Sequence, residues 1–327
     1  MAKKFGEEIL FSLNDAVRRA TNCYPTGIMS LDYALGVGGL PPGRIIEIYG
    51  PESGGKSTTA LKIVASCQKF FKTHFEGEQG CAFIDVEHSL DPAWGILNGV
   101  DFDDLLISQP DSAEQALDVV ESLVMTDKVK LIVLDSVAAL VPLAEAEGEM
   151  GDQQIGLQAR LMSKAMRKLT GIAASRECTL VFINQIREKV GVMYGSNETT
   201  TGGRALRFYA SIRIEVRRGE PIKNGKDQIG NGVNIRIVKN KVAAPYKQAQ
   251  FDIRYDIGID AAKDIFNIGK TIGVIQGGGA WFSYEDNKWN GAEKAATAIR
   301  EDEELAKKLA IAIKSCLRGS DEVVVNA

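Results

Sequence analysis

The sequence predicts a doubly wound α/β protein with a mostly parallel sheet, and three observations support that fold class. Short apolar runs alternate with helical patterns through the first half of the chain, as they do when helices connect parallel strands. A glycine-rich stretch lies between the first run and the first helical pattern. The 327 residues, of which 45 % are hydrophobic and 25 % are charged, suffice for one large α/β domain and a smaller one.

Four apolar runs are predicted to be parallel strands, and the helical patterns between them are predicted crossovers. The runs lie at residues 44–49, 81–86, 131–134 and 179–183, and the helical patterns lie at residues 57–70, 112–125 and 157–174. Two later runs, at residues 211–216 and 233–238, are joined by a polar segment with several glycines, which indicates an antiparallel hairpin at the sheet edge. Ligands of such sheets bind outside the carboxyl ends of the parallel strands.

Two segments show no regular pattern. Residues 144–156 are acidic, and residues 187–203 contain several glycines and three consecutive threonines. Long irregular segments in a compact domain usually serve a function. Beyond residue 260 the pattern changes, and residues 261–327 are predicted to form a small separate α/β domain.

Composition excludes several classes of protein. No apolar run approaches the roughly 20 residues that cross a bilayer, and residues 1–8 lack the apolar centre of a signal peptide. The five cysteines are scattered without a C-x-x-C pair, and there are only two histidines. These features argue against a zinc site, a disulfide framework and a membrane partner, and they fit a reducing cytoplasm.

Charge is unevenly distributed along the chain. The net charge of −4 argues against a uniformly basic nucleic-acid-binding protein. Residues 186–218 nevertheless contain seven basic and three acidic residues, so this segment carries 7 − 3 = +4. A local basic surface can bind DNA because phosphate contacts are local. A solvated charged face is the alternative that charge alone leaves open.

The glycine-rich stretch fits G-x-x-x-x-G-K-[ST], the phosphate-binding loop, and it lies between a strand and a helix as that loop requires. Backbone N–H groups and the helix N-terminus attract an anion there. Lys56 supplies a full charge for the β- and γ-phosphates, and Ser57 offers a hydroxyl to Mg²⁺. A chance glycine-rich turn is the alternative. The predicted nucleotide-binding residues of this stretch are Gly50, Pro51, Glu52, Ser53, Gly54, Gly55, Lys56, Ser57 and Thr58.

Three polar residues follow other predicted strands. Asp135 comes directly after the run 131–134, where a second acidic group would hold Mg²⁺ through its water shell. Glu87 follows the run 81–86 and could orient a water near the γ-phosphate, although a surface glutamate in a turn is the alternative. Gln185 could hydrogen-bond the γ-phosphate and make the next loop respond to the nucleotide. The alternative, left equally open, is a polar residue at a strand end whose hydrogen bonds are satisfied within the protein.

Together these motifs resemble the RecA family of bacterial homologous recombinases. The similarity spans about residues 27–281 and continues weakly to about residue 317. The resemblance implies a P-loop NTPase core at residues 27–260, ATP and Mg²⁺ as cofactors, and a DNA-dependent ATPase that forms a filament on single-stranded DNA and catalyses strand exchange. The segments that carry it are residues 50–57, 83–92, 134–140, 182–187, 198–203 and 239–241.

The resemblance also implies roles for residues around the nucleotide. Glu87 matches the catalytic glutamate that activates water, and Gln185 matches the γ-phosphate sensor. Asp91, Trp94 and Tyr255 match positions that contact adenine, and Trp94 stands where a tyrosine is usual.

Further residues are implied to act between subunits of the filament. Lys239 and Lys241 match lysines that reach the ATP of the neighbouring subunit, where they would neutralise transition-state charge in trans. Phe208 matches an aromatic residue that contacts the neighbour. The resemblance therefore adds both lysines to the catalytic residues Glu87, Lys56 and Gln185.

Two DNA-binding loops are implied, at residues 147–156 and 186–204. Ile155 and Val190 match apolar residues that wedge between bases. Sequence-independent binding of a single strand needs phosphate neutralisation rather than base readout. The other implied DNA-binding residues are Arg160, Ser163, Arg167, Arg187, Thr199, Thr200, Thr201, Gly202, Gly203 and Arg204.

The two ends of the chain depart from the family pattern. Residues 1–26 match a segment that packs on the adjacent subunit, but they are short for that role, with a short helix expected at residues 14–20. We expect altered or weaker subunit packing. The last seven residues lack an extended acidic tail, so we expect easier loading on duplex DNA at low Mg²⁺. The compact chain suggests a phage or mobile-element origin.

The implied partners are further copies of the chain in a helical filament, together with single-stranded and double-stranded DNA. Repressor-type proteins and recombination mediators remain open as additional partners. Alternatives are a hexameric helicase, a branch-migration ATPase, or a filament that coats DNA with negligible ATP turnover. The absence of a four-cysteine module, the linear DNA loops and the intact catalytic residues argue against these alternatives.

Overall fold

The computed structural model describes residues 23–75, 79–149, 156–188 and 198–322. Its architecture is mixed α/β, with a large central sheet and a small sheet near the C-terminus. The strands are β1 (Ile45–Gly50), β2 (Gly80–Asp85), β3 (Leu105–Ser108), β4 (Val129–Asp135), β5 (Thr179–Glu188), β6 (Glu198–Thr200), β7 (Ile212–Asn224), β8 (Asp227–Asn240), β9 (Gln248–Arg254), β10 (Gly258–Ile259), β11 (Gln276–Gly278), β12 (Trp281–Tyr284) and β13 (Asn287–Asn290).

The helices alternate with the first strands, as the sequence predicts. Ser112 begins one of them, because its side chain accepts a hydrogen bond from the N–H of Gln115 at 3.2 Å. The helices are α1 (Met29–Leu35), α2 (Lys56–His74), α3 (Pro92–Leu97), α4 (Ala113–Met125), α5 (Leu143–Ala146), α6 (Leu157–Ser175), α7 (Ala205–Tyr209), α8 (Ala261–Thr271), α9 (Ala292–Glu301) and α10 (Glu303–Glu322).

The central sheet of the described chain has ten strands. Nine follow the order β10-β9-β8-β7-β1-β5-β4-β2-β3, and β6 pairs with β5 alone. All pairs from β7 through β1, β5, β4 and β2 to β3 are parallel, whereas β7 to β10 are mutually antiparallel. The predicted class, a mostly parallel sheet with an antiparallel edge, is therefore confirmed.

Alternation along single strands shows that the sheet is covered on both faces. Leu131 and Val133 of β4 pack into one core with residues of α2, whereas Ile132 and Leu134 pack into a second core with residues of α4 and α6. Successive side chains of a strand point to opposite faces. Both faces of β4 are therefore apolar, which is why this strand appears in the sequence as a continuous apolar run.

The antiparallel edge is longer than the sequence predicts. The hairpin of β7 and β8 continues to a turn at Gly225, so the polar segment interpreted as a connector is itself strand. Its residues beyond Arg218 are mostly exposed. Such strands lack the apolar alternation by which half-buried strands are recognised. The short edge strand β3 has only four residues, and no sequence pattern predicts it.

Both segments predicted to be irregular contain some regular structure. The first begins within α5. In the second, Arg187 and Glu188 at the end of β5 pair with Thr199 and Glu198 of β6. The interpretation of residues 187–203 as wholly irregular is therefore wrong at both ends, because polar side chains on a two-stranded ribbon give no apolar signal.

Residues from α8 onward build a third core around the three-stranded sheet β11-β12-β13. Phe266 of α8 meets Phe282 of β12 edge to face, with ring centroids 5.0 Å apart. Phe266, Phe282 and Trp289 are joined there by Ile299 and Leu309 from α9 and α10. This core is distinct from the two cores of the large sheet.

Several sequence predictions fall outside the described residues: the short helix at residues 14–20, most of the N-terminal segment 1–26, and the side chains of Ile155 and Val190. In the described part of the chain, no helix is long and apolar enough to span a bilayer.

Candidate active site and nucleic-acid interface

The phosphate-binding loop connects the carboxyl end of β1 to the start of α2, and its geometry explains two of its glycines. Gly55 has φ +94°, a left-handed conformation that residues with a side chain rarely adopt. Gly50 lies so close to β7 that a Cβ atom there would be 1.9 Å from the carbonyl oxygen of Val216. Residues 53–58 line a cavity at the N-terminus of α2. This is the location at which a helix attracts an anion.

Lys56 is buried, although it is the only full positive charge of this loop. Its ammonium donates to the carbonyl oxygen of Pro51 at 2.7 Å. Burial lowers the pKa of Lys56, and the nearby carboxylates of Asp135 and Glu87 act in the opposite direction. Glu52, by contrast, is exposed. The geometry therefore keeps one ammonium inside the loop.

Ser57 and Asp135, the two predicted Mg²⁺ ligands, are in contact. The Ser57 hydroxyl donates to Oδ2 of Asp135 at 2.6 Å. Burial raises the pKa of the Asp135 carboxyl to about 6, with a further contribution from Glu87. A hydroxyl and a carboxylate oxygen are hard donors suited to Mg²⁺, which keeps most of its water shell in proteins. This donor pair fits the implied metal.

Glu87 and Gln185 are also in contact, across the carboxyl ends of β2 and β5. Gln185 Nε2 donates to Oε1 of Glu87 at 3.1 Å, and the Ser136 hydroxyl donates to the same oxygen. Glu87 itself is exposed. Asp85, two residues earlier, is buried and accepts from the N–H groups of Ser89 and Leu90. These bonds fix the turn that carries Glu87.

The cavity has a volume of about 280 Å³ and an aromatic side chain on two of its walls. Trp94 and Tyr255 both line it, and the indole N–H of Trp94 donates to Thr58 Oγ1 at 3.0 Å. Asp91 accepts from the N–H groups of Ala93 and Trp94 and so caps α3, which carries Trp94. Two aromatic faces at one cavity suit a planar base.

The cavity also contains residues that the sequence analysis misses. Arg218 and Asn231 line it from β7 and β8, and Arg218 Nε donates to Asn231 Oδ1 at 2.9 Å. Asn231 Nδ2 donates in turn to the Tyr255 hydroxyl at 2.9 Å. No motif marks these residues. Arg218 enters the sequence analysis only as part of a basic segment, because its proximity to Tyr255 depends on the fold.

Lys239 and Lys241 lie at the end of β8 and, within the described chain, line no part of the nucleotide cavity. Lys239 Nζ donates to the carbonyl oxygens of Arg207 and Phe208 at 2.8 and 2.9 Å. The pKa of Lys239 is lowered by burial and by the charges of Lys241 and Arg213. Lys241 is exposed, and 65 % of the Phe208 side chain is exposed.

Some of the described DNA-binding candidates lie on α6 or pack against it. Arg160 and Arg167 are exposed and seven residues apart, which puts them on one face of the helix. Gly203 approaches this helix closely, since a Cβ there would be 2.8 Å from the Cβ of Ala159. Ser163 donates to the Ala159 carbonyl at 2.8 Å. The end of the second DNA-binding loop therefore lies against α6, the helix that follows the first DNA-binding loop.

The rest of the second loop is tied to the sheet through Asn184. Thr201 Oγ1 donates to Asn184 Oδ1 at 2.9 Å, and Asn184 Nδ2 donates to Oε1 of the buried Glu47 at 3.0 Å. Thr200 is buried and Thr199 is half-buried. The exposed positions of this set are Arg187, Gly203 and Arg204.

The site and the fold define a class of protein. A glycine-rich loop that lines a cavity, with an aspartate beside it at the carboxyl ends of parallel strands, forms the site of a P-loop NTPase on a doubly wound sheet.

Comparison with known proteins identifies the family within that class. The RecA N-terminal domain profile matches residues 1–260, and the RecA C-terminal domain profile matches residues 263–318. The chain is 51 % identical to the RecA protein of Saccharopolyspora erythraea over 316 residues, which is 96 % of this chain and 89 % of the relative. It is 50 % identical to the RecA protein of Thermus thermophilus over 327 residues, 99 % of this chain and 93 % of the relative. The chain belongs to the RecA family, and this membership assigns it to DNA recombination and repair.

Proposed function

We propose that this chain is a DNA-dependent ATPase that polymerises on single-stranded DNA and catalyses homologous pairing and strand exchange. The observation that carries the proposal is the hydrogen bond between Gln185 and Glu87. Gln185 lies in β5, the strand that runs into the second loop. The group that would orient the attacking water and the loop that would bind DNA are therefore joined by one contact.

ATP would bind within a single subunit. The loop backbone and Lys56 receive the phosphates, and Trp94 and Tyr255 hold the adenine between their rings. Ser57 and Asp135 would hold Mg²⁺, which when bound neutralises charge on the β- and γ-phosphate oxygens. The Lys56 ammonium uses one of its three N–H groups on the Pro51 carbonyl, so the others are available to a phosphate.

Hydrolysis would use the carboxylate of Glu87 as a general base for the attacking water. The hydroxyl of Ser136 and the amide of Gln185 donate to the same carboxylate oxygen, which orients the carboxylate. An amide that also meets the γ-phosphate would exchange its bond to Glu87 for one to the nucleotide. The position of Gln185 would then report which nucleotide is bound.

DNA would be held by the two loops and the exposed face of α6. Arg160 and Arg167 would neutralise backbone phosphates, as would Arg187 and Arg204 from the second loop. The bond from Thr201 to Asn184, the residue before Gln185, supports a mechanical path from the DNA loop to the γ-phosphate sensor.

The active site would be completed by the neighbouring subunit. Lys239 and Lys241 line no part of their own subunit's described cavity, and the exposed Phe208 lies beside Lys239. Lysines donated in trans make hydrolysis depend on assembly, so filament formation and ATP turnover are coupled. The proposed partners are copies of this chain and both forms of DNA, and the proposed location is the cytoplasm.

The test is steady-state ATP hydrolysis with and without single-stranded DNA at several protein concentrations. The proposal predicts stimulation by DNA that rises cooperatively with protein concentration, because the active sites lie between subunits. Hydrolysis that responds to neither DNA nor protein concentration would indicate a different kind of motor and would contradict the assignment of the DNA loops.

A further inference from the structure

Lys239 and Asn240 end β8, and Lys241 begins the turn that follows. The two lysines are held in different ways. The ammonium of Lys239 contacts the carbonyl oxygens at the end of α7. Lys241 is anchored by its backbone, whose N–H donates to the Ser211 carbonyl at 2.9 Å, while its side chain is exposed. The direction of the Lys241 stem therefore depends on the conformation of the turn.

Asn240 lies between the lysines and uses both ends of its amide. Its Nδ2 donates to the carbonyl oxygen of Leu35 at 3.0 Å. Its Oδ1 accepts from the N–H groups of Val242 and Ala243 at 3.0 and 3.1 Å. One side chain thus closes the turn locally, as asparagine does in Asx turns, and ties it to α1.

The partner of Asn240 is a rigid support. Leu35 ends α1, and both Leu31 and Leu35 are completely buried in the large core. The chain packs closely here, since a Cβ at Gly36 would lie 2.8 Å from the Cβ of Ala243. A buried helix end can hold the turn more firmly than solvent-exposed backbone can.

We propose that Asn240 is a positioning residue that fixes the turn so that Lys241, and with it Lys239, reaches the phosphate oxygens of the nucleotide bound to the neighbouring subunit. This inference rests on the proposed function. A lysine side chain has a flexible stem, so the position of the backbone that carries it determines where its ammonium can reach. Misplacing a catalytic group by about 1 Å can cost on the order of 100-fold in rate.

Two substitutions separate the two ends of the amide. Asn240→Ala removes all three hydrogen bonds. Asn240→Asp keeps the acceptor for the turn but sets a carboxylate against the Leu35 carbonyl. We expect DNA-stimulated turnover to fall roughly 10- to 100-fold in the alanine variant and by less in the aspartate variant. ATP binding to each variant should stay within about twofold of the parent, because the lysines do not serve their own subunit.

Asn234→Ala provides the matched control. Asn234 is on the same strand, and its Oδ1 accepts from Gln250 Nε2 at 2.7 Å in an exposed pair. Its loss should leave turnover within about twofold, as is usual for surface substitutions. The melting temperature of each variant shows whether it is folded. If the alanine variant melts well below the parent, the aspartate variant alone tests whether Asn240 positions the lysines.

A mixing experiment distinguishes positioning from general damage. A Glu87→Gln subunit cannot activate water in its own site but carries an intact turn. In an equimolar filament, about half of the Asn240→Ala subunits should receive lysines from a Glu87→Gln neighbour in a head-to-tail array. We expect hydrolysis well above the sum of the two separate proteins.

Normal turnover in both Asn240 variants, or no recovery on mixing a folded variant, would overturn this inference. If ATP hydrolysis by the parent protein is stimulated by DNA, those results would leave the proposed function intact. If the parent itself is not stimulated by DNA, the proposed function fails first, so the two failures are distinguishable.

Discussion

Two side chains of the phosphate-binding loop form hydrogen bonds for which a nucleotide would compete. The Lys56 ammonium donates to Pro51, and the Ser57 hydroxyl donates to Asp135. Exchanging one hydrogen bond for another contributes only about 0.5–1.5 kcal/mol net. We therefore expect the charge of Lys56, the backbone N–H groups of the loop and the contacts of the base to set nucleotide affinity more than these two side-chain hydrogen bonds do.

Replacing Trp94 tests the contribution of the base contact. Trp94→Phe keeps an aromatic face at the cavity but removes the indole N–H that donates to Thr58. That bond holds the ring at the cavity wall, so a ring without it must be ordered when the base binds; at about 1 kcal/mol for the bond, we expect ATP to bind roughly fivefold more weakly by titration calorimetry. Trp281→Phe is the control, because Trp281 is exposed on β12 and absent from the cavity wall. Equal affinities of the two variants would contradict a role for Trp94.

Between strands, a buried ion pair joins the β1–β7 pair beneath the active site. Arg213 Nε donates to Oε2 of Glu47 at 2.5 Å, and the guanidinium also lies over the Tyr49 ring, 4.3 Å from its centroid. Both charged side chains are almost completely buried. Glu47 also accepts from Asn184, so the pair supports the strand that carries Gln185.

Removing one partner of this pair should destabilise the protein strongly. Arg213→Met leaves the Glu47 carboxylate buried without its counter-charge, which typically costs about 3–5 kcal/mol. The measurement is urea unfolding. Lys72→Met is the control, because Lys72 pairs with Asp101 at 2.8 Å on the surface, where such pairs contribute about 0–1 kcal/mol. Similar losses in both variants would show that burial does not set the cost.

Sequence patterns predict the elements of the parallel half better than those of the antiparallel edge. The strand β4 is apolar on both faces and is predicted correctly, whereas the outer half of the β7–β8 hairpin is polar and is missed. The same division holds for the site. Ser57 and Asp135 belong to motifs that imply their meeting, but Arg218 and Asn231 reach the cavity only because the hairpin folds over it. Asn240 is a similar case, since its partner Leu35 is 205 residues away.

On the scale of the whole molecule, α1 connects the core between the large sheet and α2 to the C-terminal part. Its first turn contacts the C-terminal part, where the Ser30 N–H donates to Oδ2 of Asp264 at 3.1 Å. Its last turn contacts Asn240. Burial raises the pKa of Asp264 to about 6 and that of the neighbouring Asp32 to about 7, with Lys314 partly offsetting the effect at Asp32. This junction therefore retains protons that the unfolded chain would release.

The stability of the protein should fall as pH rises through these pKa values. A carboxyl whose pKa is raised on folding stays protonated in the native state above pH 4, while the unfolded chain ionises, so the native state is penalised increasingly up to pH 7. Asp264→Asn removes one titrating group but keeps an acceptor for Ser30. Between pH 5 and pH 8, we expect the free energy of unfolding of the parent protein to fall by on the order of 1–3 kcal/mol more than that of this variant. The measurement is urea unfolding. Parallel pH profiles would contradict this expectation.

The central claim is that each active site combines groups from two subunits, and mixing two inactive variants tests it most directly. Glu87→Gln lacks the general base, and Lys241→Ala lacks a lysine that acts on the neighbour. Each should bind ATP yet hydrolyse it negligibly on single-stranded DNA. In an equimolar mixture, roughly a quarter of the sites in a random head-to-tail filament would combine an intact Glu87 with an intact neighbouring Lys241. Recovery of ATP hydrolysis on that order is the predicted result, and a mixture as inactive as its components would contradict the shared site.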